Sequence, residues 1–134
     1  MEFDARVPIY LQIIDKIQKD IVLGRLKMGE KLPSVRLMAM DLKVNVNTVQ
    51  RVYQELERDE IIFTQRGIGS FITEDEETVK KIKQKMADEL LKNFLEGMKG
   101  LGISSGDVLK RLKDYIEKGE KEVVESGEFN EKIF

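Results

Sequence analysis

Between Pro8 and Leu23, apolar residues fall at Ile9, Tyr10, Ile13, Ile14, Ile17, Ile21 and Val22, with Gln12, Asp15, Lys16 and Lys19 in the gaps. Spacing near three and four turns one face of an α-helix inward. Pro8 suits a first helical turn, where its missing N–H has no partner to lose, and Gly24 can take the left-handed conformation that closes a helix. Gly29 and Pro33 bracket a turn, after which Ser34 can cap a short helix through Leu42 with Leu37, Met38 and Leu42 facing inward. Lys43 and Val44 form a tight connection to Asn45, a good N-cap, and a third helix runs to about Asp59. On it Val49, Val52, Tyr53 and Leu56 make one apolar face, leaving Asn47, Thr48, Gln50, Arg51 and Gln54 on the other.

Two β-prone runs follow, Ile61 to Gln65 and Ser70 to Thr73, joined by Arg66-Gly67-Ile68-Gly69, which reads as a hairpin with a glycine-permitted tip. From Glu74 to about Met98 the period is helical again, with Val79, Ile82, Met86, Leu90, Phe94 and Met98 in a stripe and Gly97, Gly100 and Gly102 ending it. Ser104 with Asp107 has capping-box spacing, and Ile103 with Val108 has that of a hydrophobic staple. They open a last helix carrying Val108, Leu109, Leu112, Tyr115 and Ile116 to Gly119 or a little beyond, followed by a frayed tail from Gly127 to Phe134. The expected fold is mostly α with a small β-hairpin: a winged helix-turn-helix over 1–73 and a two-helix region over 74–134. No linker or repeat separates them.

Composition narrows what such a fold can do. At 134 residues, the chain holds one compact domain or a small domain with a helical appendage. With 41% hydrophobic and 36% charged residues it has the balance of a soluble globular protein. No apolar run approaches the ~20 residues of a membrane span. Glu2 and Asp4 near the start do not read as a secretory signal, so the expected location is the cytoplasm. The sequence has no cysteine and no histidine, which removes disulfides, thiol chemistry, the commonest general base and the usual zinc ligands. No metal or other cofactor is implied.

The formal net charge of −2 argues mildly against nucleic acid as a partner, but its distribution matters more. Residues 1–73 carry 11 basic and 10 acidic side chains, whereas 74–134 carry 12 and 15. Between Lys31 and Gln54 the charges are Lys31, Arg36, Lys43 and Arg51 against Asp41 alone. A phosphate-binding face would lie in that window.

Three helices followed by a hairpin is the order of a winged helix-turn-helix, whose third helix can enter the major groove. Asn and Gln can read adenine edges, Arg can pair with guanine, and Ser or Thr can contact phosphate or base; Asn45, Asn47, Thr48, Gln50 and Arg51 supply these groups. The helix starts at Ser34 and Asn45 offer free N–H groups to phosphates, with Arg36 beside the first. At the hairpin tip, Arg66 and Gly67 would bring a cation and bare backbone to the minor groove. Each residue also has a plainer reading, as a helix cap, a solvated helix face or a hairpin turn. Gly67-Ile68-Gly69 lacks the third glycine of a dinucleotide-binding loop.

Three segments together, Gly29-Glu30-Lys31-Leu32-Pro33-Ser34-Val35-Arg36, Val44 through Glu57, and Arg66-Gly67-Ile68-Gly69-Ser70-Phe71-Ile72, make residues 8–73 resemble the GntR family of bacterial transcription regulators. The resemblance implies that Ser34, Arg36, Asn45, Asn47, Thr48, Gln50, Arg51, Arg66 and Gly67 lie at a surface for double-stranded DNA. The remaining 61 residues are similar to the short tail of the YtrA subfamily, in which two helices make a homodimer and the regulators are typically repressors. No large ligand-binding or aminotransferase-like domain is expected. The stripe from Val79 to Met98 would then bury against a partner, although packing against its own last helix and the winged domain is the alternative. Two departures stand out: Glu60 where the family usually has glycine after the third helix, which questions that helix's end, and Val46 where many relatives have proline.

The function expected is therefore a homodimer placing two reading helices in successive major grooves of a near-palindromic operator. Any small-molecule effector would bind between the halves or at the dimer interface and change the separation of the reading heads. A winged-helix module that binds another protein instead is the rival reading. Enzymatic chemistry has no carboxylate pair or lysine pocket to start from.

Overall fold

In the computed structural model, which describes residues 1–126 and side chains through Glu120, the elements are α1 (Ile9–Val22), α2 (Val35–Leu42), α3 (Val46–Arg58), β1 (Ile62–Gln65), β2 (Gly69–Ile72), α4 (Glu76–Gly100) and α5 (Ser105–Ser126). The expected fold class is the one observed. The tail expected to fray, Gly127 to Phe134, lies outside the described residues. The chain forms two compact units, Met1–Ala87 and the part from Asp88 onward, so the first unit runs past Thr73 and takes in the start of α4.

Four helices close by one device. Gly24, Lys43, Glu60 and Gly102 have φ of 74°, 56°, 61° and 75°, and each donates its N–H to a carbonyl three residues back while the next residue reaches five back. The longer bonds are Arg25 N to Asp20 O at 2.8 Å, Val44 N to Ala39 O at 3.0 Å, Ile61 N to Leu56 O at 2.9 Å and Ile103 N to Met98 O at 3.1 Å. This paired closure satisfies the last free carbonyls of each helix. Glycine adopts the left-handed conformation without steric penalty, whereas Lys43 and Glu60 do so with a Cβ in place. Glu60 therefore leaves the end geometry of α3 intact. It is held there by Ile61, which is buried together with Leu56.

Several boundaries shift for local reasons. Pro8 sits at the N-cap of α1 with φ −52° and ψ 135°, one place before the first helical residue. The start of α4 falls at Glu76 because Thr73 Oγ1 accepts from Asp75 N at 3.1 Å and Asp75 Oδ1 from Glu77 N at 3.1 Å, making Asp75 the cap. Gly97 and Gly100 lie within α4, and Gly102 is the residue that ends it. As expected, Ser104 Oγ accepts from Asp107 N, at 3.3 Å, and α5 continues through Gly119 to Ser126.

The core of the first unit is built from Ile13, Ile17 and Ile21 of α1, Ala39 of α2, Val49, Val52, Tyr53 and Leu56 of α3, with Leu32, Ile61, Ile62, Ile72 and Ile82 closing it. Burying each of these isoleucines contributes roughly 1.5 to 3 kcal/mol. In α2 the inward stripe is Val35, Met38, Ala39 and Leu42, and Leu37, expected inside, is 55% exposed. An eight-residue helix buries the i, i+3, i+4, i+7 set, and Leu37 lies off it.

The hairpin pairs antiparallel in the register Ile62 with Ile72, Phe63 with Phe71, Thr64 with Ser70 and Gln65 with Gly69. The Phe63 and Phe71 rings stack at 5.5 Å. A third extended segment, unforeseen from the sequence, lies along β2: Gly29 N donates to Ile72 O, Ile72 N to Glu30 O, and Leu32 N to Ser70 O, at 2.8 to 2.9 Å. It is too short, and too close to Pro33, to show a strand's alternation. Its effect is to fasten the turn before α2 to the wing.

Candidate nucleic-acid interface

The two short helices of the helix-turn-helix start on side-chain caps. Ser34 Oγ accepts from Leu37 N at 3.2 Å and Asn45 Oδ1 accepts from Asn47 N at 2.7 Å. Each cap satisfies one donor of its first turn and leaves the others facing outward, with the positive end of the peptide dipoles. Ser34, Arg36, Asn45, Asn47 and Gln50 are exposed and Thr48 is half-buried. The side chain of Arg51 is 56% exposed, with Nε 3.5 Å from Glu55 and the guanidinium 3.7 Å from the centroid of the Tyr10 ring.

Tyr53 ties these starts together. Its ring is buried in the core, and its hydroxyl donates to Pro33 O at 2.5 Å, so the middle of α3 is bonded to the turn immediately before Ser34. Burial pushes the phenol up to about 12, because the anion would lose its solvation. It therefore remains a donor at any ordinary pH. The hydrophobic pattern marked Tyr53 as core and gave no sign of this second role, since the partner is a backbone carbonyl twenty residues away.

At the wing tip Arg66 and Gly67 are exposed, and Ile68 N donates to Gln65 O at 2.9 Å to close the turn. Gly67 has φ 80° and a Cβ there would meet nothing within 4 Å, so its backbone is open to approach. Gly69 has φ 144°, and a Cβ there would stand 2.8 Å from Lys31 Cε. Lys31 thus lies along the wing, a cation that the sequence placed in the basic window without linking it to the hairpin. Lys43, exposed in the left-handed turn between α2 and α3, adds another.

The helical stripe assigned to a partner divides between the units. Ile82 is buried in the first unit's core and Val79 and Met86 pack against that core. Those three are occupied within the chain. In the second unit Leu90 and Phe94 are 71% and 37% exposed and Met98 is half-buried. Leu91, Leu95, Leu109, Leu112 and Ile116 are also exposed there, and Val108 is buried. No helix among the described residues is long and apolar enough to cross a membrane, and no group of three or more carboxylates among them is placed to hold a metal.

Comparison with known proteins bears on this geometry directly. The profile of the bacterial regulatory proteins, gntR family, matches residues 9–72. The HTH-type regulator YhcF of Bacillus subtilis is 46% identical over 88% of this chain and 98% of its own length. The HTH-type transcriptional repressor YtrA of the same organism is 38% identical over 87% and 88%. Among solved structures, a GntR family transcriptional regulator from Listeria monocytogenes superposes with a TM-score of 0.77 at 42% identity, covering 84% of this chain and 98% of that one. A regulator from Oenococcus oeni gives 0.72 at 32%, covering 87% and 97%. These relatives match nearly end to end, through the short two-helix tail as well as the winged half, and the chain accordingly belongs to the GntR family of DNA-binding transcription regulators, in its YtrA-like branch.

Proposed function

We propose that this regulator is a homodimeric repressor of the cytoplasm, which sets the α3 helix of each protomer into successive major grooves of a near-palindromic operator. The observation that carries the reading is the pairing of two surfaces in one chain. The capped starts of α2 and α3 carry Ser34, Arg36, Asn45, Asn47, Thr48, Gln50 and Arg51 with no competing apolar cluster in α3's outer face, and the second unit exposes Leu90, Phe94, Leu109, Leu112 and Ile116. Large apolar side chains exposed in this number on two helices are the chemistry of an association surface. A polar, positively biased helix start is the chemistry of groove reading. Arg66 and Gly67 complete the contact at the minor groove, and Lys31 and Lys43 add phosphate contacts.

Footprinting on the DNA upstream of the chain's own gene tests the proposal. Two protected half-sites about one helical turn apart are expected, with affinity falling steeply as salt rises. Arg36→Ala, Arg51→Ala and Arg66→Ala should each weaken binding, by roughly 1 to 3 kcal/mol where a base pair is read. Unchanged affinity in all three would remove the proposed contact surface. Salt-insensitive, sequence-independent association would instead favour the protein-interaction module.

A further inference from the structure

Arg51 has two partners within its own chain. Its guanidinium carbon lies 3.7 Å from the centroid of Tyr10, and its Nε lies 3.5 Å from Glu55 Oε1. Tyr10 is the second residue of α1 and is itself packed against the hydrophobic core, so the ring is a fixed support rather than a mobile one. The ring covers one face of the guanidinium and the carboxylate takes the Nε edge. The terminal N–H groups are left over, on a side chain that keeps 56% exposure.

The direction of the restraint is informative. At 3.6 residues per turn, Arg51 stands one turn beyond Asn47 and shares the outer face of α3 with it and Gln54, and the contact with Tyr10 draws its guanidinium off that line toward α1. A side chain in the middle of that line would enter the groove. One drawn to the flank meets the groove's edge, where the sugar-phosphate backbone runs. Arginine loses much rotamer freedom when it binds, and a side chain already held in place loses less.

We propose that Tyr10 is a positioning residue for DNA binding: its ring holds the Arg51 guanidinium on the α1 flank of the recognition helix, with the terminal N–H groups turned to a backbone phosphate. This rests on the reading that places Arg51 at the DNA surface. Tyr10 makes no contact with DNA in this arrangement and acts through Arg51.

A double-mutant cycle decides it, using the full chain and a duplex that the unaltered protein selects from a randomised pool. Arg51→Ala should weaken binding of that duplex, lower the salt slope by about one, and do so alike for single-base variants of the site. Tyr10→Leu, which keeps an apolar side chain in the packing position, should weaken binding about two- to fivefold, the size of an exposed cation–π contact. That loss should disappear when Arg51 is already alanine. Tyr10→Phe, which keeps the ring, should bind within about twofold of the unaltered chain. Thermal unfolding run on every variant reports folding separately. An equal loss from Tyr10→Leu with and without Arg51 would make Tyr10 merely structural and overturn the proposal. A loss in Arg51→Ala confined to one base pair would overturn the phosphate assignment. If Arg51→Ala binds like the unaltered chain, Arg51 is not at the DNA surface and the proposal falls at that premise, a failure distinguishable from that of the ring.

Discussion

Tyr53→Phe separates the two things that the buried phenol does. The substitution keeps the ring among Val49, Val52 and Leu56 and deletes only the hydrogen bond to Pro33 O. A typical net hydrogen bond is worth about 0.5 to 1.5 kcal/mol, so near neutral pH the variant should be less stable by roughly 1 kcal/mol. The alkaline limb gives a second, opposite signal. The folded phenol titrates at about 12 against an ordinary value of 10, so deprotonation favours the unfolded chain. The stability is fully present below pH 10 and is lost as pH rises from there through the folded value. Linkage puts the loss at about 1.4 kcal/mol by pH 11. Phenylalanine has no proton to lose. The stability curves of the two proteins should therefore cross near pH 11, with the unaltered chain the more stable below and the variant above. Urea titrations of both proteins at a series of pH values measure this, and lysine ionisation cancels in the difference. A difference in stability that stays constant from neutral pH to the alkaline limb would refute the argument that Tyr53 is a desolvated donor.

Other consequences are simpler to state. Glu60→Gly should stabilise the fold by about 1 kcal/mol in chemical denaturation, because it removes a side chain from the left-handed position and a negative charge from the C-terminal end of α3; a loss of stability would show that Glu60 is held by something other than the closure described. Gly69→Ala should cost roughly 1 to 3 kcal/mol in thermal unfolding, since φ 144° is strained for any side chain and the new Cβ meets Lys31. Asn45→Ala should cost about 1 kcal/mol by loss of the cap to Asn47 N, with Asn45→Ser recovering most of it; equal values for the two variants would deny the cap. Phe94→Glu should yield a monomer in sedimentation and weaker operator binding, because each reading head then binds alone, whereas Ile82→Glu should unfold the first unit instead.

The chemical order of the winged half is written locally. Three- and four-residue periodicity at Ile13, Ile17 and Ile21 and at Val49, Val52 and Leu56 could only face a core on one side of each helix. Ser34 and Asn45 are caps that act within three residues of themselves, and Gly67 supplies a turn that needs positive φ. All of these are short-range effects, and the polar side chains between Asn45 and Gln54 that are proposed to read DNA were legible for the same reason. Helix ends were less legible, because the closure at Lys43 and Glu60 follows from burial of the next residue and not from glycine.

What the tertiary structure alone decided involves partners far apart in the chain. The stripe from Val79 to Met98 has a uniform period, yet Ile82 completes the winged core while Leu90 faces outward, since a helix's apolar face says that it will be covered but not by what. Lys31 lies along Gly69, Tyr53 holds Pro33, and Tyr10 supports Arg51, pairs that sequence spacing could not connect. Local periodicity and capping determined the elements and which polar side chains they present; the packing of distant segments determined which of those side chains are free, which are held, and in which direction they point.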